Sequence, residues 1–120
     1  MSILENKYIY QNYEILETLS AGIILTGAEV KSLRNHRGTI NDTFVVFQDG
    51  TLQLVKAYIP PYQIKNTPAS YNPYRTRILL LNKKEIHTWY RKKSESGLTI
   101  VPIKVYIENR KIKILIGLAR

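Results

Sequence analysis

Acid–base catalysis needs two titratable groups that converge on one substrate atom, and the carboxylates of this 120-residue chain have other work. Glu29 follows Thr26 by three residues and Glu85 follows Asn82 by three, the spacing at which two side chains cap the start of a helix. Asp49 precedes Gly50 in a turn pair, and Glu14 and Glu17, three apart in an extended segment, fall on opposite faces. There is no glycine-rich phosphate loop, no His-x-x-x-His and no serine flanked by glycines. The chain has no Cys, which removes thiolate zinc sites, iron–sulfur clusters and cysteine nucleophiles. No catalytic residue, metal ligand or cofactor is expected.

The cations are more informative. Eighteen Lys and Arg against nine Asp and Glu give a formal charge of +9, a field that concentrates polyanions around so small a body. Nucleic acid is the partner this charge implies. Lys31 and Arg34, with Arg37 beyond, lie on a short helix whose Val30 and Leu33 form the buried face, so the cations project outward together. Taken alone they also read as a solvated helix face. Arg75 and Arg77, Lys83-Lys84, Arg91 to Lys93 and Arg110 to Lys113 add further basic clusters, and that common excess favours RNA. His36 and His87 are expected to face solvent or contact RNA rather than hold metal or move protons. Of nine Tyr, Tyr58, Tyr90 and Tyr106 fall inside periodic elements and are expected to be packed. Tyr62, Tyr71 and Tyr74 lie in a proline-rich stretch; they are candidates for stacking on bases, or for stapling that stretch to the core.

The elements that must position these residues follow from pattern. Tyr8 to Leu25 is read as one strand bent at Gly22, and Thr26 to Glu29 as a capping box opening a helix that stops near Gly38. Thr43 to Phe47 and Leu52 to Ile59 flank Asp49-Gly50 as a hairpin, and Pro60 to Thr76 is a long loop. Arg77 to Leu81 reads as a buried strand, and Asn82 as the cap of a second helix running to about Ser94, with Gly97 closing it and Trp89 in the core. Thr99 to Ile107 and Lys111 to Leu118 make a second hairpin around Glu108-Asn109-Arg110. Strands joined by hairpins, with helices inserted at two joints, fit a mainly β fold: a closed antiparallel barrel of about six strands, like an oligonucleotide-binding fold, with two or three short helices.

A single domain over residues 1–120, present as a monomer, is the expected organisation. No apolar run approaches the twenty or so residues that span a bilayer, no signal peptide is legible, and no membrane partner is expected.

Two long segments carry a resemblance. AGIILTGAEVKSLR at Ala21 to Arg34, followed by Gly38, Asp42 and the Asp49-Gly50 turn, and PYRTRILLLNKKEI at Pro73 to Ile86, resemble the SsrA-binding protein (small protein B) family. Gly97 to Arg120 resembles that family's last hairpin, so the likeness covers roughly residues 6 to 120. It implies a barrel related to the oligonucleotide-binding fold and no enzymatic activity. The implied partners are transfer-messenger RNA, bound at the elbow of its tRNA-like domain, and the bacterial ribosome stalled on a message without a stop codon, in the process of trans-translation. A general single-strand or ribosomal RNA binder is the alternative. The RNA contacts implied by the motifs are Asn6, Lys7, Ala21, Gly22, Leu80 and Asn82; Asn82 serves equally well as a helix cap.

The chain departs from the family at two of these places. Ser20 stands where the family usually has Glu, and Tyr8-Ile9-Tyr10 where it usually has cations. Tyr8 and Tyr10 either stack on RNA or extend a strand. The family continues beyond the position of Arg120 with a Lys-rich segment and a basic tail that enters the decoding centre, and this part of its action is expected to be absent from these 120 residues. The expected compartment is bacterial cytoplasm, or the matrix or stroma of an organelle of bacterial descent.

Overall fold

The computed structural model describes residues 2–120. In chain order the elements are β1 (Ser2–Glu5), α1 (Ile9–Asn12), β2 (Ile15–Ile23), α2 (Gly27–Arg34), β3 (Phe44–Gln48), β4 (Thr51–Val55), a turn of 3-10 helix (Ile64–Asn66), β5 (Arg77–Leu80), α3 (Lys83–Ser96), β6 (Thr99–Glu108) and β7 (Lys111–Ala119). Every strand pairing is antiparallel. Pairing passes from β6 to β3, β4, β5, β2 and β7, and β7 pairs back with β6, so six strands form a ring-like sheet to which β1 adds along β6. This is the OB-like, mainly β architecture expected, with three helices and one strand more than the six or so expected.

The two hairpins turn as their sequences demand. Asp49 (φ 52°) and Gly50 (φ 74°) both take positive φ, as do Asn109 (φ 52°) and Arg110 (φ 66°), the twist-matched geometry of tight antiparallel turns. Inside the ring, Val45, Leu52, Leu54, Leu79, Ile100, Ile114, Ile116 and Leu118 are buried, and Trp89 of α3 joins them. Both long helices begin with a complete capping box, Thr26 with Glu29 and Asn82 with Glu85, and α3 ends at Gly97 in the left-handed region.

Three local expectations are corrected. Tyr8 to Leu25 is not one strand, because Ile9 is buried against Val101, Ile103 and Ala119 in a second, smaller apolar cluster on the outside of β6 and β7. The chain coils there into α1 to place that side chain before entering β2. The pairing irregularity of β2 lies between Ile15 and Glu17 rather than at Gly22. Arg77 to Leu81 is buried on one face only: Arg77 and Leu79 point inward while Ile78 and Leu80 are exposed.

Candidate nucleic-acid interface

Alternation along the antiparallel strands decides which side chains share the outer surface. In β2, Ala21 is buried, so Ser20 and Gly22 face outward. Register then extends the row from each. Gly22 lies opposite Leu80 on β5 and Lys113 on β7, and Lys113 lies opposite Tyr106 on β6. Ser20 lies opposite Leu115, which lies opposite Lys104, which lies opposite Glu5 of β1, one residue before Asn6. The two rows join residues from distant parts of the sequence on one continuous face.

One end of this face is a shallow cavity of about 310 Å³ whose wall includes Gly22, Leu80, Arg34, Arg110, Lys111 and Lys113. Gly22 has a steric reason to lack a side chain, since a Cβ there would stand 3.2 Å from the Cβ of Leu80. Its absence lets Leu80, 55% exposed, lie over β2 as an apolar floor. Cations border that floor. Arg34, Arg110 and Lys111 line it, and Arg34 is steadied by donating from Nη2 to the Arg110 carbonyl at 3.1 Å; Lys31, three residues earlier on α2, is exposed but is not part of that wall. Basic groups beside a fixed apolar patch give phosphate contacts that position and a surface on which a base can rest.

The middle of the face is polar. Ser20 and Tyr106 are joined hydroxyl to hydroxyl across β7, and the Lys104 ammonium stands 5.4 Å from the centre of the Tyr106 ring. At the far end Asn6 donates its side-chain amide to the Pro102 carbonyl at 3.0 Å, and the backbone N–H of Lys7 donates to Asn41 at 3.3 Å. Those bonds fix the backbone that carries the exposed Lys7 side chain, which shares a concavity with Tyr10 and Lys104. Tyr8, at the N-cap of α1, and Tyr10 within it are both exposed and do not extend a strand.

Asn82 plays the cap: its Oδ1 accepts from the Glu85 backbone N–H at 2.8 Å, which leaves its side-chain NH₂ without a protein partner among the described residues. It lies beside Glu17, Leu19 and Lys84, round the edge of β2 from Leu80.

Arg77 is a correction. It is 0% exposed, its guanidinium enclosed by the Glu29 carboxylate at 2.7 Å and by the carbonyls of Ala57 and Pro73, so it cannot reach a phosphate. Arg75 is half-exposed, but it too is committed to Glu29 at 2.6 Å and to the Ile24 carbonyl at 3.3 Å. Glu29 is thus more than a cap. Burial alone raises a carboxyl pKa, but hydrogen bonds from Arg75, the Thr26 N–H and Arg77, with the Arg77 charge, outweigh it and hold Glu29 below its usual 4.5. Ala21 also turns its methyl into the core and offers the outer face only backbone.

The tyrosines divide differently from expectation. Tyr71 staples the long loop, donating its hydroxyl to the Ile59 carbonyl at 2.8 Å, and burial and the Glu29 charge push its pKa up. Tyr74 is exposed, with its ring 5.1 Å from that of half-buried Tyr58, and Tyr62 is exposed. Tyr90, expected to be packed, is 55% exposed, because Trp89 takes the inward position of α3. Sequence reasoning missed Tyr106 and Lys104 as members of the face. The pattern Lys104-Val105-Tyr106, with Val105 buried between two outward neighbours, was the signal.

Among known proteins, the chain matches the family model described as SmpB protein over residues 3–120. It is 46% identical to the SsrA-binding protein of Persephonella marina over 98% of this chain and 77% of that one. It is 48% identical to that of Aquifex aeolicus over 98% and 75% of the two chains, and 46% identical to that of Thermus thermophilus over 98% and 82%. A solved structure described as "tmRNA-SmpB: a journey to the center of the bacterial ribosome" contains a chain similar to this one, with a TM-score of 0.77 and 46% identity over 97% of this chain and 81% of that one.

Proposed function

The chain belongs to the SmpB protein family, and from that premise we propose that it binds the tRNA-like domain of transfer-messenger RNA and helps deliver it to stalled ribosomes in trans-translation. Its role is that of a binding protein rather than an enzyme, working in the bacterial cytoplasm as one RNA-binding domain. The observation that carries the reading is the single outer face that runs from Leu80 and Gly22 through Ser20 and Tyr106 to Asn6 and Lys7, bordered by Arg34, Arg110 and Lys111, with Lys31 exposed one turn earlier on α2. A folded RNA elbow presents a preset backbone and a few unstacked loop bases, and a rigid sheet face with a cationic border suits both.

On this reading Lys7, Lys31, Arg34 and Lys113 meet phosphates, and Leu80 supports a base. The backbone of Ala21 and Gly22 approaches the RNA closely, and the Asn82 NH₂ is free to donate to it. Ser20, tied to Tyr106, presents a neutral hydroxyl pair where the family usually has a carboxylate. Arg75 and Arg77 shape the site from beneath.

A gel-shift competition tests the proposal. The tRNA-like fragment of transfer-messenger RNA should displace labelled fragment, and excess unstructured poly-pyrimidine RNA should not. If the two compete equally, the chain is a general single-strand binder and the proposal fails.

A further inference from the structure

A second aromatic and cationic surface lies outside the face described above. Between the β3–β4 turn and α3 is a groove of about 430 Å³, in the size range of ligand sites, and it shares no wall residue with the cavity at Gly22 and Leu80. Its floor is Phe47 and Tyr90, whose rings meet edge to face with centres 5.2 Å apart and planes at 89°. That contact holds the orientation of the Tyr90 ring while more than half of the side chain stays in solvent, so a flat ligand that stacks there costs little further ordering.

Along α3, Lys83, His87 and Arg91 follow one another at four-residue intervals; Lys83 and His87 line the groove with Tyr90, and Arg91 continues the stripe one turn beyond it. Lys83 and Arg91 have no ion-pair partner among the described residues. Across the groove stands the turn of Asp49 and Gly50, the latter with open space where a side chain would be.

We propose that this groove holds an unpaired RNA base, stacked on Tyr90, with its flanking phosphates on Lys83 and Arg91. The occupant is an RNA strand and not an acidic peptide for two reasons. The ring has a π face that any base can use and a carboxylate side chain cannot, and the Asp49 carboxylate at the rim can accept from the exocyclic amine of a base, a donor that an ionised acidic side chain lacks. The inference rests on the RNA-binding function proposed above and extends it. A single chain would hold a folded RNA on its outer sheet face and a single-stranded segment on α3 at once.

The test is a titration of the ¹⁵N-labelled full chain with a single-stranded hexaribonucleotide of mixed sequence, first alone and then after saturation with the tRNA-like fragment. Amide shifts at Gly50, His87 and Tyr90 should appear in both cases. Tyr90→Ala should weaken hexamer binding by about fivefold or more while Tyr90→Phe retains it. Lys83→Gln with Arg91→Gln should flatten its salt dependence by about two phosphate contacts' worth. Tyr90 is largely exposed, so these variants should melt close to the parent, and each is titrated well below its own melting temperature. Shifts confined to Ser20, Gly22 and Leu80, a Tyr90→Ala protein that binds like the parent, or equal shifts with a hexaglutamate peptide would each overturn the proposal. If the tRNA-like fragment itself fails to bind, the function proposed above is what falls, and the hexamer titration alone still decides the groove.

Discussion

Replacing Glu29 by alanine removes two roles at once, and their sizes differ. As a cap, Glu29 accepts from the Thr26 backbone N–H at 2.9 Å, an interaction whose loss costs about 1 kcal/mol. As an acid it neutralises Arg77, and removing one partner of a buried pair typically costs about 3–5 kcal/mol because the other charge is left stranded. Arg75, its side chain 39% exposed, can turn to solvent and adds little. Arg77 keeps the Ala57 and Pro73 carbonyls, which argues for the lower end of the range. The sum is about 4 kcal/mol, which in a domain of this size lowers Tm by about 15 °C.

Urea denaturation and thermal melts of Glu29→Ala, with Thr26→Ala as the control for the cap alone, separate the two roles. Thr26→Ala should lose about 1 kcal/mol. A Glu29→Met, Arg77→Met double variant should recover most of the single-variant loss, since an apolar pair of similar volume replaces a buried ion pair at little net cost. If Glu29→Ala costs no more than Thr26→Ala, the buried pair contributes nothing beyond the cap and the reasoning fails.

The same carboxylate predicts a pH dependence: its folded pKa lies below the ordinary 4.5, so its contribution is complete above that value and is lost as pH falls through the lower folded one. Tm of the parent should therefore drop more steeply below pH 4.5 than Tm of Glu29→Gln. Trp89, 2% exposed, should cost about 3 kcal/mol or more on truncation to alanine, and native emission should be blue-shifted from that of solvated tryptophan. Tyr71→Phe should cost about 1 kcal/mol and speed proteolytic nicking in residues 60–76, because the loop's staple to the Ile59 carbonyl is lost. In RNA binding, Lys31→Gln should weaken all RNAs alike and reduce the salt slope by about 1, whereas Leu80→Asn should erode the preference for the tRNA-like fragment over a scrambled RNA of equal length. Equal binding of the two RNAs by the parent, or an unchanged preference in Leu80→Asn, would remove Leu80 from recognition.

Local chemistry was legible in the sequence wherever a few neighbouring residues decide the structure by themselves. Both capping boxes, both hairpin turns and the closing Gly97 depend on contacts within about four residues, and each forms as read; the inward Trp89 was legible from the apolar spacing of α3. The strand count was less legible. Ser2–Glu5 is a strand only because β6 offers it an edge, and Tyr8 to Tyr13 coils rather than extends because Ile9 finds an apolar seat on β6 and β7. The basic clusters were visible as composition, yet only tertiary structure could sort them. Arg77 looks like Arg34 in the sequence, but strand alternation and a buried Glu29 turn one inward as a structural counter-ion and leave the other at the rim of a groove. Family motifs named Gly22, Leu80 and Asn6 without saying why they act together. Antiparallel register, fixed by which face of each strand is apolar, is what brings them onto one surface from opposite ends of the chain.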